Sequence, residues 1–226
     1  MIVVQRLDMR LAACAIYLDK KEVVADVGCD HGKLTVFLAQ QGFKVIGIDI
    51  NEKPLQKAKD ACIKAKCLEK VSLRLGDGLQ VLKPLEAKQI VIAGVSAETI
   101  LHILDDASWI RTEGVRLVLC PATKLWRLRK GLCQRGFCII DETPVVAATR
   151  CYSVIYAEYK GQPIQETEEF YLVGKIYGKP FAEELRKDTI NKLKKTLLGL
   201  HGLEKEQQQK RMNWLASVDL GNGYSI

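Results

Sequence analysis

Ala25-Asp26-Val27-Gly28-Cys29-Asp30-His31-Gly32 is the stretch on which the reading of this chain turns. Residues 22–28, Glu-Val-Val-Ala-Asp-Val-Gly, suit a short buried strand, and residues 33–41 suit a helix. A glycine between strand and helix lets the backbone turn tightly and come close to a ligand. Alone it is a weak signal, so the flanking sequence has to supply the context.

Working outward, the strand–helix alternation continues. Upstream, residues 6–18 place Leu7, Leu11, Cys14, Ala15 and Leu18 on one helical face. Downstream, residues 43–49 read as a second strand and 52–66 as a helix with Asn51 at its N-cap. Strand 71–75 leads into Gly76-Asp77-Gly78. Strand 89–93, a helix at 96–106, strand 115–120 and a helix at 124–134 follow, and residues 136–141 and 151–159 read as a closing antiparallel pair. Such alternation predicts an α/β fold, a Rossmann-like parallel sheet with helices on both faces. Ligands of these sheets bind beyond the carboxyl ends of the strands, at the switch point.

After Tyr159 the character changes. Lys160-Gly161-Gln162-Pro163 reads as a linker. Phe181, Leu185, Ile190, Leu193, Leu197 and Leu200 then follow a spacing close to a heptad seam over residues 181–200. A second helix over 203–217 and a loose tail from Leu220 complete the expectation. The predicted division is a Rossmann-like domain over 1–160 and a C-terminal helical, coiled-coil-like appendage over 161–226.

Composition narrows the function classes. Apolar residues make up 48% of the 226, enough for a substantial core. No stretch reaches the ~18 apolar residues of a membrane span, and the N-terminus lacks the pattern of a signal peptide, so the expectation is a cytoplasmic protein. The eight cysteines form no Cys-x-x-Cys pair and there are three histidines. That argues against a zinc site, and the expected metal set is empty. The net charge of +7 is compatible with a polyanionic partner.

Three acids give the first loop its chemistry. Asp26 ends the first strand. Asp49 ends the second, 21 residues after Gly28, where a carboxylate accepts from ribose hydroxyls. Asp77 follows the third, where a carboxylate accepts from an adenine amine. One adenosine-bearing ligand would use all three. A dinucleotide fingerprint needs glycine where this chain has Asp30 and Lys33, and Asp30 would repel a pyrophosphate. S-adenosylmethionine (SAM) has no phosphate and carries a sulfonium and an ammonium, so the sign of the charge selects SAM.

With these residues in place, the sequence resembles the TrmK-type bacterial tRNA (adenine(22)-N1)-methyltransferases. The likeness runs through Arg10-Leu11, Ala25-Asp26-Val27-Gly28-Cys29-Asp30-His31, Val71 to Leu79 with its Gly76-Asp77-Gly78, and Ile90-Val91-Ile92-Ala93-Gly94. The resemblance implies a SAM-dependent enzyme that methylates N1 of an adenosine in tRNA, acts as a monomer and has a helical C-terminal appendage. It implies a cofactor site made of Asp26, Gly28, Cys29 and His31 in the first loop, Asp49 and Ile50 after the second strand, Asp77 and Gly78 after the third, and Gly94 after the fourth. Asp30 becomes the catalytic residue, accepting from the N6 amine of the base. Arg10, Pro121, Lys124, Trp126, Arg127, Lys192 and Lys195 become the substrate contacts.

Two departures stand out. Val95-Ser96-Ala97 replaces a family Met-Gly-Gly, and Cys120-Pro121-Ala122 replaces Gln-Pro-Asn, which removes an amide partner for the base edge. They leave two other readings open: a family member that binds SAM and RNA without methylating, and a small-molecule methyltransferase.

Overall fold

The computed structural model describes residues 7–198 together with Gln209, Lys210, Met212 and Asn213. Most of the expected helix 203–217, and the tail after it, lie outside the described residues. Five parallel strands come first: β1 (Val24–Val27), β2 (Val45–Asp49), β3 (Val71–Leu75), β4 (Gln89–Ala93) and β5 (Arg116–Cys120). The antiparallel β6 (Phe137–Ala147) and β7 (Arg150–Tyr159) close one side, giving the order β3-β2-β1-β4-β5-β7-β6. The strand order therefore reverses at β1, between β2 and β4, where such folds receive ligands.

The central strands are mostly apolar because both sheet faces are covered. Successive side chains alternate between those faces. Ala25, Val27, Ile46, Ile48, Ile90 and Ile92 enter one core, with Ile100 and Leu104 of α4 (Ala97–Asp105) and Leu128 and Leu132 of α5 (Leu125–Gln134). Val24, Val45, Val91 and Val118 enter the other, with Cys14 of α1 (Met9–Ala15) and Leu34 and Leu38 of α2 (Lys33–Gln40). Asp26 thus points to the α2 side. Between α2 and β3, α3 (Glu52–Lys64) buries Ala58 and Cys62.

Three expectations need correction. Asn51 occupies the N-cap of α3, but its side chain makes no cap bond. Its N–H instead donates to Asp49 Oδ1 at 2.9 Å, so the strand-end carboxylate shapes the turn. The penultimate strand runs on to Ala147 rather than stopping at 141. Pro144 is tolerated because β6 is an edge strand, and the register shifts between Ile139 and Asp141. Beyond the expected linker lies an unforeseen helix, α6 (Glu168–Val173), capped by Thr167 Oγ1, which accepts from Phe170 N at 3.1 Å. The heptad-like segment is α7 (Ala182–Leu198), whose Leu185, Ile190 and Leu193 pack with Leu172 and Val173 of α6 and with Trp126.

A buried ion pair fastens these helices to the sheet. Arg129 of α5 and Glu142 of β6 both have fully buried side chains, 2.9 Å apart. Arg129 also donates to the carbonyls of Tyr171 at 3.0 Å and Leu172 at 2.8 Å. Glu142 accepts in addition from Ser153 Oγ and Lys175 N. Gly174, at φ +82°, has room for no side chain: a Cβ there would lie 2.3 Å from Glu142 Oε1. Removing one partner of a buried pair strands the other charge, at a cost of about 3–5 kcal/mol. Arg129→Met is therefore expected to lower unfolding free energy by about that amount. In urea titrations, Arg129→Met/Glu142→Gln should lose clearly less than the sum of the two single variants; strict additivity would mean that the pair is not coupled.

Candidate active site at the carboxyl edge of the sheet

The loop after β1 is shaped by backbone bonds before any ligand is considered. Gly28 N and Cys29 N both donate to Ile48 O at 2.9 Å, tying the loop to β2. Gly28 adopts φ +74° and a Cβ there would meet nothing within 4 Å, so the loop opens onto free space. Asp30 also lies in the left-handed region, at φ +49°. Its N–H donates to Asp49 Oδ2 at 2.9 Å, so Asp49 spans the loops after β1 and β2 with its two oxygens.

Asp26 is 5% exposed and its Oδ2 accepts from Thr35 Oγ1 of α2 at 2.6 Å. Burial pushes its carboxyl up to about 6, against the opposing Thr35 bond and with a further push from Asp49. Asp30 is more open. Burial raises its carboxyl, but the His31 hydrogen bond and charge outweigh this and hold it below the usual range. Its Oδ1 lies 2.6 Å from His31 Nδ1.

The other nominated positions lie at the neighbouring strand ends. Ile50, after Asp49, is 61% exposed and presents an apolar surface at the edge of the site. Asp77 is exposed on the turn after β3, and Gly78 (φ +52°) packs against Ile103. Gly94 (φ +87°) donates to Cys120 O at 2.9 Å, and a Cβ on it would meet nothing within 4 Å. Four consecutive parallel strand ends thus bring Asp26, Asp49, Asp77 and Gly94 to one edge, with Asp30 among them. The acids and the two unobstructed glycines fit a cationic, phosphate-free adenosine ligand, in keeping with the charge argument from sequence.

Five of the seven nominated substrate residues also converge. Pro121, Lys124, Trp126, Arg127 and Lys192 line one cavity of about 430 Å³ between the start of α5, β7 and α7. It opens directly after β5, whose Cys120 is paired with Ala93 at the end of β4. Tyr152 forms part of its wall, and the Arg10 guanidinium lies 4.7 Å from the centre of that ring. Arg10 is also held by Asp8, at 2.9 Å. Lys195 is exposed further along α7 and does not line the cavity.

Several contacts escaped the sequence reading. Glu98, in the first turn of α4, accepts from both Lys124 and Arg127 at 2.6 Å, and the Lys124 bond foremost holds its carboxyl down at about 2. Thr35 had a faint signal, one turn inside the helix that follows the loop. Lys57, 3.2 Å from His31 Nε2, had none, because the approach of α2 to α3 sets that contact. All eight cysteines are free. Among the described residues there is no cluster of three or more metal-ligating side chains, and no helix is long and apolar enough to cross a membrane.

Known proteins share this architecture. The tRNA (adenine(22)-N(1))-methyltransferase of Bacillus subtilis (strain 168) is 34% identical over 155 residues, covering 68% of this chain and 65% of that protein. The chain thus matches somewhat less than two thirds of that curated relative. The solved B. subtilis M1A22 tRNA methyltransferase TrmK superposes with a TM-score of 0.71 at 27% identity, covering 94% of this chain and 95% of that one. M. capricolum TrmK, solved with S-adenosyl-homocysteine, shares the fold at TM-score 0.74 and 22% identity, covering 96% and 98%. A family model described as a methyltransferase domain matches residues 7–155, which takes in the ends of β1 to β5. With the switch-point acids and that match together, the chain belongs to the methyltransferase-domain family.

Proposed function

We propose that this chain transfers a methyl group from SAM to N1 of an adenosine, position 22, in tRNA. The observation that carries the reading is the set of acids Asp26, Asp49 and Asp77 at the ends of β1, β2 and β3, with Asp30 in the loop after β1, on a sheet edge where a cavity with cationic and aromatic walls opens after β5. The 34% identity to a tRNA (adenine(22)-N(1))-methyltransferase supports the substrate. Residues 1–160 are read as the methyl-transferring unit and 161–226 as the appendage, in a monomer acting in the cytoplasm.

SAM supplies an electrophilic methyl on a sulfonium. The protein's task is alignment and charge. Asp49, oriented by two backbone N–H groups, accepts from ribose hydroxyls; Asp77 accepts from the cofactor's adenine amine; Asp26 offsets positive charge. Adenine N1 keeps a free lone pair near neutral pH, so no strong base is required. Asp30 accepts from the N6 amine of the target base, which gains acidity as positive charge moves onto the ring. Exposing N1 in folded tRNA requires the base to leave its stack. Trp126 and Tyr152 offer stacking faces, and Lys124, Arg127, Lys192 and Lys195 offer phosphate partners.

Two outcomes are expected of the reaction itself. With radiolabelled SAM and unmodified tRNA, the labelled nucleoside is N1-methyladenine. Asp30→Asn keeps SAM affinity while kcat falls by about 10²-fold or more, as when an electrostatic partner of a transition state is removed; parallel loss of affinity would make Asp30 a cofactor ligand instead.

Asp26 gives a pH signature. Its folded-state value lies above that of an unfolded aspartate, so its contribution to the unliganded fold is fully present below about pH 4 and is lost as pH rises through about 6. A cationic ligand favours the ionised form, so SAM binding near pH 6 releases a proton and weakens as pH falls further. Calorimetry in two buffers of different ionisation enthalpy measures this, and Asp26→Asn should abolish the release.

Affinity for tRNA should fall steeply with salt. Lys192→Ala/Lys195→Ala should flatten the log–log slope by about 0.7–0.9 for each phosphate that the variant no longer neutralises. A slope identical to that of the parent protein would remove these lysines from the interface.

A further inference from the structure

Asp30 is anchored by its backbone, whose N–H donates to Asp49 Oδ2. Its side chain is directed by a different contact, His31 Nδ1 at 2.6 Å from Oδ1. The other ring nitrogen, Nε2, lies 3.2 Å from Lys57 Nζ on α3. An ammonium has three donors and no acceptor. In the neutral imidazole Nε2 therefore accepts from Lys57, and Nδ1–H points to Asp30. Lys57 thus favours, from the other side of the ring, the same tautomer that the Asp30 carboxylate requires, since the partner of one imidazole nitrogen bears on the role of the other.

The packing of α2 on α3 makes this proximity obligatory. Gly32 sits at the start of α2 with φ +72°, and a Cβ there would lie 2.8 Å from Ala58 Cβ and 3.0 Å from Ala58 Cα. Backbone therefore meets backbone between the two helices. His31 and Lys57 each precede one of these contact residues, so the same approach brings their side chains abreast. Lys57 needs no large excursion to reach Nε2.

We propose that Lys57 is a positioning residue for Asp30. Acting through His31, it holds the imidazole in the Nδ1–H form and so orients the carboxylate that receives the amine of the target base. The inference rests on the role of Asp30 given under the proposed function. The side chains of His31 and Asp30 are 44% and 64% exposed, so water competes and the effect is modest.

The test uses the full chain with ¹⁵N-labelled histidine and long-range ¹⁵N–¹H correlation spectra, the His31 signals being assigned through His31→Gln. The expected spectrum shows the Nδ1–H tautomer in the parent protein and in Lys57→Arg, and its replacement by Nε2–H or a mixture in Lys57→Met. On tRNA, Lys57→Met should lower kcat about three- to tenfold, the range of one partly exposed hydrogen bond, with KM for SAM unchanged and Lys57→Arg restoring turnover. An Nε2–H tautomer in the parent protein overturns the proposal, as does unchanged kcat in Lys57→Met. A tautomer that shifts as expected in a protein that does not methylate tRNA supports the positioning contact and rejects the substrate assignment.

Discussion

Asp49 is the point at which this structure becomes a site. One carboxylate oxygen accepts from the loop after β1 and the other from the turn that opens α3. Both loops depend on it for their course, and both lie where the strand order reverses. Backbone N–H groups near a strand end would otherwise turn to water and leave each loop several alternatives. Because both bonds are internal to the protein, they order the loops through contacts that a ligand does not have to supply. The left-handed Asp30 is tolerated for the same reason: its N–H is aimed at Asp49, and aspartate accepts that conformation more readily than most residues.

The other half of the molecule is organised by a charge taken out of water. Arg129 and Glu142 join α5 to β6, and the remaining guanidinium donors reach the carbonyls that end α6. A buried pair of this kind gives less net stability than an apolar pair of equal volume, but it tolerates few alternative arrangements. Here it sets where α6 lies, and through the cluster of Leu172, Leu185 and Leu193 it sets where α7 lies. The cavity beside Trp126 has α7 as one wall, so its shape depends on an ion pair that does not line it.

Much of the fold is legible in the sequence because parallel strands buried on both faces leave an apolar signature. Strands 71–75 and 89–93 match their sequence-based bounds to the residue. The readings that fail share a cause. The strand read as 136–141 runs on through Pro144, and sequence does not say which strand is at an edge. The α6 helix is only six residues long, and its Thr167-Glu168-Glu169 start is too short to register beside Gly161 and Pro163. At the site, Asp26, Asp30, Asp49 and Asp77 can be found because each lies at or just after the carboxyl end of a strand. Lys57, Glu98 and Tyr152 cannot, because each reaches its partner from another element, and only tertiary packing brings them together.

The clamp formed by Glu98 on Lys124 and Arg127 has a consequence for what can enter the cavity. Two cations of its lining already share one internal carboxylate. A visiting anion has to replace that carboxylate rather than simply approach a bare positive surface. A single small anion presents the same charge as Glu98 without its covalent tether, so it gains little from the exchange. A chain of phosphates presents several charges at once, itself tethered, and can engage Lys124 and Arg127 separately, while Lys192 has its own internal partner in Asp188. The internal acid therefore sets what any visiting anion has to displace before it can pair with Lys124 and Arg127.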